Sequence, residues 1–157
     1  MSTLDVVTAI GVPGDVTVNV VRLDPGLPLP AYARDGDAGL DLLAREALTL
    51  AAGEWGLVPT GIAIELPAGW AGFVLPRSGL AARHGVTCLN APGLIDSGYR
   101  DEVRVVLINH SRTPYGVNRG DRIAQLVVQP VPRVAWVPVD TLGGSERGTG
   151  GFGHSGY

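Results

Sequence analysis

Between residues 15 and 139 the apolar positions recur at every second residue in short runs, at 15–23, 55–66, 72–75, 86–89, 103–108, 122–128 and 133–139, with Gly and Pro punctuating the chain between them. Alternation with period two sends successive side chains to opposite faces, and the Val, Ile and aromatic residues of these runs pack well on a half-buried pleated surface. Short strands divided by turn residues predict an all-β sandwich or barrel. Only residues 80–84 read as helix, a turn or two ended by Gly85. No helical period is sustained elsewhere, which sets aside helix bundles and doubly wound α/β folds. The alternation stops near 140, so residues 1–140 are expected to form one domain and residues 141–157 a flexible arm.

The stretch 90–104, NAPGLIDSGYRDEVR, lies between two β-type runs and holds Pro92, Gly93 and Gly98 as turn formers. It predicts a hairpin that presents one acid, Asp96, and one aromatic, Tyr99, to a ligand. By their residues alone Asp96 could equally cap a turn and Tyr99 pack within the hairpin. Residues 77–79 sit between a strand and the helical turn, where backbone N–H groups favour an anion, although a surface Arg beside a turn fits them as well.

Charge narrows the chemistry. The 157 residues carry a net charge of −3 with 45% hydrophobic residues, a soluble single-domain profile without the basic surplus that nucleic acid demands. All twelve basic residues are Arg, which excludes a Walker-type phosphate loop, a Schiff-base lysine and a lysine nucleophile. Phosphate would have to be held by guanidinium and backbone. The lone Cys88 lies in an apolar run and reads as a buried structural thiol suited to a reducing cytoplasm. His84 and His110 have no acidic or Cys partner at ligand spacing and read as structural or surface residues. No segment approaches about 18 apolar residues, so neither membrane spanning nor export is expected. The tail at 143–157 has seven Gly in fifteen residues and cannot form a core, yet it frames Phe152 between two glycines and carries Arg147. A disordered end fits that composition. A flap closing on a ligand would use the ring for stacking and the backbone N–H groups for phosphate.

Five segments in order, DAGLDL at 37–42, PRSGLA at 76–81, NAPGLIDSGYRDE at 90–102, GDRIAQL at 120–126 and RGTGGFGHSG at 147–156, resemble the trimeric deoxyuridine triphosphatases. The resemblance implies a β jelly-roll with one short helix and a Gly-rich C-terminal arm. It also implies a homotrimer with shared sites, in which the arm closes a neighbour's site, and hydrolysis of dUTP to dUMP and pyrophosphate with Mg2+, lowering dUTP and supplying dUMP for thymidylate synthesis. Carried onto this chain, Asp96 is the general base that activates water against the α-phosphorus. Tyr99 packs on the deoxyribose and excludes a 2′-hydroxyl. Asn90 reads the uracil edge, with Ile95 and the hairpin backbone completing the pocket. Arg77, Ser78, Gly79 and Gln125 bind phosphates, and Arg147, Phe152, Gly153 and Ser155 act from the arm. Asp41 supports the magnesium through water or by ordering the phosphate-binding Arg, and the ion itself rides mainly on the triphosphate, since Mg2+ keeps several waters and needs substrate oxygens more than a protein cage.

Two positions depart from the family pattern: His154 stands where a hydroxyl residue is frequent, and Asp101 stands where Gly is frequent. The nearest rival activity is a dCTP deaminase of the same fold, which places a catalytic Glu ten residues after the hairpin Asp. Here that position is Val106. A non-catalytic nucleotide-binding regulator is a further alternative, against which Asp96 argues because binding alone needs no base.

Overall fold

The long alternating run becomes strand β4 (Trp55–Glu65), and one sheet grows on both of its edges in a computed structural model that describes residues 14–146 and 148–149. Strand β1 (Asn19–Arg22) pairs with β4 on one side. On the other lies β8 (Glu102–Asn109), which also pairs with β6 (Val86–Cys88), giving the antiparallel order β1-β4-β8-β6. The second sheet has the order β2-β10-β5-β7, from β2 (Leu40–Leu43), β5 (Trp70–Leu75), β7 (Gly93–Ile95) and β10 (Arg122–Pro130). A small pair joins β3 (Leu48–Leu50) to β9 (Tyr115–Val117), and the one helix among the described residues, α1 (Ser78–His84), follows β5. Alternate residues of the two large sheets, among them Val58, Leu107, Leu42 and Ile123, are nearly inaccessible and share one core cluster. Each such side chain contributes about 1.5–3 kcal/mol relative to remaining exposed. This is the expected all-β jelly-roll-like sandwich with one short helix.

The hairpin differs in a way that builds the site. Its flanks pair as expected, Val86↔Asn109, Thr87↔Ile108 and Cys88↔Leu107. Its tip does not stay in that sheet: β7 crosses over and pairs with β5 through Gly72↔Ile95, Phe73↔Leu94 and Val74↔Gly93. The hairpin therefore ties the two sheets together at one end of the sandwich.

Two of the predicted runs need correction. Of 15–23, only Asn19–Arg22 forms a ladder. Residues 133–139 form no strand, and Val134, Trp136, Val137 and Val139 are exposed, Trp136 to 88%. Pro130 and Pro132 remove two ladder donors as the chain leaves β10, and an alternating face without a sheet beneath it has nothing to bury against.

Gly61 marks a shift in the β4–β8 register between Pro59 and Ala63. Its φ is +77°, its carbonyl accepts from the N–H groups of Leu23 and Asp24, and its own N–H donates to Glu102 at 2.8 Å. A Cβ there would stand 2.9 Å from the Asp24 Cβ. The Gly61→Ala substitution is expected to destabilise the fold by about 1–3 kcal/mol, read as a lower urea midpoint. An unchanged midpoint would mean the left-handed backbone is not required.

Candidate functional site

Closing the hairpin against β5 leaves a cavity of about 160 Å³ lined by Val74, Asn90, Gly93, Leu94, Ile95, Tyr99 and the β8 residues Val103 to Val106. Gly93 is what lets the two strands come so near. A side chain there would begin 3.2 Å from the Val74 Cβ and 3.4 Å from the Asn90 amide nitrogen. Tyr99 forms the rim, 38% exposed, with its hydroxyl donating to the Glu102 carbonyl at 2.8 Å. That bond fixes the ring without using any atom of its face. Asp96 directly follows the cavity residue Ile95, and its carbonyl accepts the Tyr99 N–H at 3.0 Å. The Asp96 carboxylate is exposed, and among the described residues no hydrogen bond or ion pair occupies it. Such a group is available to a water molecule.

A second group assembles where β2, β10 and the end of β5 meet. Asp41 is 8% exposed and takes a guanidinium on each oxygen, Arg77 Nε at 3.1 Å and Arg122 Nη1 at 3.3 Å. Gln125 lies opposite Asp41 on one side and Leu75 on the other. Arg77 precedes α1, whose first residues Ser78 and Gly79 have N–H groups that the helix itself leaves unpaired. One buried acid thus orients two cations beside a helix start, an arrangement that attracts an oxyanion.

Of the residues singled out from sequence, the structure gathers Asn90, Ile95 and Tyr99 around the cavity and Asp41, Arg77 and Gln125 in the cationic group. None of the latter three lines the cavity. Arg147, Phe152, Gly153, Ser155 and the departure at His154 lie outside the described residues. Asp101 is solvated, its side chain 3.8 Å from Arg104 and bonded to the Glu102 N–H. Sequence reasoning missed Arg122, although it lies in the same GDRIAQL segment as Gln125; a buried Asp41 needing more than one cation was the available signal. It also missed Arg104 as a wall of the cavity.

The donor set says what form a metal would take. Among the described residues no three His, Cys, Asp or Glu side chains cluster, and both Asp41 oxygens are engaged by Arg. The described side chains therefore offer no ready cage of protein ligands to a hard cation.

The sequence profile of the dUTPase family matches residues 26–156. The chain belongs to the dUTPase family. A deoxyuridine 5'-triphosphate nucleotidohydrolase of Thermobifida fusca is 59% identical over 144 residues, covering 91% of this chain and 80% of that protein. One of Gloeobacter violaceus is 60% identical over 144 residues, covering 90% and 98%. In three dimensions the chain is similar to the Staphylococcus bacteriophage 80alpha dUTPase with dUPNHPP, at a TM-score of 0.82 and 26% identity, over 90% of this chain and 99% of that one. This dUTPase is accordingly a hydrolase that converts dUTP to dUMP and pyrophosphate.

Neither its thiol nor its described imidazoles join the site. His84 stacks at a tilt on Tyr115, with ring centroids 5.0 Å apart. His110 is exposed, and its backbone N–H donates to the Gly85 carbonyl. Cys88 is buried in β6, and burial pushes its thiol up to about 11. Thiolate is then scarce throughout the neutral range. The folded dUTPase is expected to resist alkylation and disulfide exchange at pH 8 and to react with one equivalent after denaturation. Rapid titration of the native protein would show that Cys88 is accessible.

Proposed function

We propose that the hairpin cavity takes uracil and that Asp96, at its mouth, is the general base of dUTP hydrolysis. The observation that carries this reading is the exposed, unpaired Asp96 carboxylate next to a small cavity whose wall holds an amide and an aromatic rim. Asn90 offers both donor and acceptor to the uracil edge. Cytosine reverses that pattern and would leave buried groups unpaired, at about 1–3 kcal/mol each. The Tyr99 ring packs on the deoxyribose where a 2′-hydroxyl would clash, and the Ile95 wall leaves no room for the thymine methyl. Arg77, Ser78, Gly79 and Gln125 hold the phosphates. Asp96 removes a proton from water as its oxygen bonds to the α-phosphorus, and the bond to the bridging oxygen breaks with pyrophosphate leaving. Mg2+ would arrive on the triphosphate, with Asp41 serving it through water or through Arg77, and would supply charge neutralisation there. Val106 lies in the cavity wall at the position where a deaminase would need its proton carrier. That observation favours the hydrolase over the rival.

The working unit in this reading is a homotrimer in the cytoplasm with sites shared between subunits. Its support is an outward sheet face that is apolar where water would favour polar groups. The register aligns Thr87, Ile108 and Trp55 in one row and Val106 with Leu57 in the next, with Leu89 beside Val106. Trp55 is 61% exposed on that face. The uncovered 133–139 segment and the separation of Arg77 from the hairpin cavity point the same way. Among the described residues no helix is long and apolar enough to cross a membrane. Residues 1–140 then form the domain, and 141–157 the arm that brings Arg147, Phe152, Gly153 and Ser155 to a bound triphosphate.

Pyrophosphate release offered dUTP, dCTP, dTTP and UTP separately tests the reading: rapid turnover of dUTP alone is expected, and a uracil product from dCTP would restore the deaminase. Asp96→Asn should keep the affinity for dUTP and lose at least about a hundredfold in rate; undiminished turnover would remove the base from this position. Truncation after Asp140 should leave the trimer intact by sedimentation and cripple catalysis, because the arm contributes only when closed. Full activity of the truncated protein would make the tail a spacer.

A further inference from the structure

The turn that carries Asp96 and Tyr99 is closed by one side chain whose function none of the proposed roles explains. Arg100 Nη1 donates to the carbonyl oxygens of Ser97 at 2.7 Å and Tyr99 at 2.8 Å, while its Nη2 donates to Glu65 Oε1 at 2.9 Å. Glu65 ends β4, and its other oxygen accepts from the Asn19 side chain of β1 at 2.9 Å. The Asn19 hydrogen bond, with the Arg100 charge beside it, holds the Glu65 carboxyl below its usual range, so the anchor stays ionised at neutral pH. Arg100 and Glu65 are each about half exposed, and solvent-facing ion pairs of that kind contribute little to folding. What the guanidinium does fix is geometry. It gathers two carbonyls of one turn and ties them to the end of the longest strand.

We infer that Arg100 is a positioning residue, anchored by Glu65 and Asn19, that holds the 96–99 turn so that Asp96 and Tyr99 meet the same substrate. The inference rests on the roles proposed above for those two residues. Reacting groups must be held closely, since a displacement of about 1 Å costs on the order of a hundredfold in rate. Within this turn of four residues, which contains Gly98, the Tyr99 hydroxyl reaches the Glu102 carbonyl of β8, but no side chain of the turn ties the Ser97 and Tyr99 carbonyls to β4. Arg100 supplies that restraint from outside the cavity, and it leaves the Asp96 carboxylate free.

Single-turnover hydrolysis by the full chain tests this. Arg100→Ala is expected to slow cleavage of saturating dUTP by about tenfold or more and to narrow the preference for dUTP over UTP. Affinity for a non-hydrolysable dUTP analogue and the thermal midpoint should change little. Free guanidinium at a non-denaturing concentration should restore part of the rate. In an Asp96→Asn background the same substitution should slow cleavage no further. Glu65→Gln, which keeps the shape and removes the charge of the anchor, should shift rate and sugar preference in the same direction by less, and it carries the test if Arg100→Ala does not fold. Unchanged rate and unchanged sugar preference would overturn the inference, as would a loss that multiplies fully with that of Asp96→Asn. Should Asp96→Asn itself keep full turnover, the base assignment alone fails, and the sugar preference still decides whether Arg100 positions Tyr99.

Discussion

The pairing of β7 with β5 is the constraint on which the rest of the molecule depends. Its neighbours in sequence, β6 and β8, belong to the opposite sheet, so the three residues Gly93 to Ile95 bind one face of the sandwich to the other. From that crossing come the cavity, the close approach at Gly93 and the exit of the chain into the Asp96 turn. The same β5 runs on through Pro76 into Arg77, and its partner β10 presents Gln125 against Asp41. Base-sized cavity and cationic group are therefore built on one strand, and a shift of register in β5 would disturb both.

Buried charge supports this crossing from below. Glu102 opens β8 with its side chain almost inaccessible, taking Arg45 at 3.3 Å and the Gly61 N–H at 2.8 Å. Asp24 is bound by Arg119 and lies 3.8 Å from Arg45, and the Arg119 hydrogen bond keeps its carboxyl below the ordinary carboxylate range. Ionised carboxylates removed from water are tolerable only when paired and hydrogen-bonded. Satisfying them links the 24–27 loop, the β4 bulge and the foot of the hairpin, and the Glu102 carbonyl then receives the Tyr99 hydroxyl. The polar interior thus holds the site's aromatic wall through backbone rather than through competing side chains.

How much of this was legible in the sequence follows from the range of the interactions. Runs with several alternations, such as 55–66 and 103–108, declared their strands because period and β-branching agreed. Strands β2, β3, β7 and β9, of three or four residues, carry too few alternations to stand out, and β7 follows Pro92 where turn chemistry dominates the local signal. The ordered motifs pointed to Asn90, Tyr99 and Arg77, and the structure gathers them into two groups. Arg100 and Arg122 were not singled out, since what distinguishes them is a partner 35 or 81 residues away. At 133–139 the period was correct and the conclusion was not: alternation describes a strand's two faces, whereas a ladder also needs an edge to join.

That last failure carries a physical consequence. A protomer that leaves Trp136 at 88% exposure and turns Trp55, Leu57 and Leu89 outward keeps apolar surface in water that association would remove. In that outward row Leu57 belongs to β4 and Val106 to β8, the strand that also walls the cavity. If copies of the chain meet at that face, their contact and the cavity would be coupled through one strand, because Val106 and Ile108 turn outward on the β8 whose residues 103–106 line the cavity.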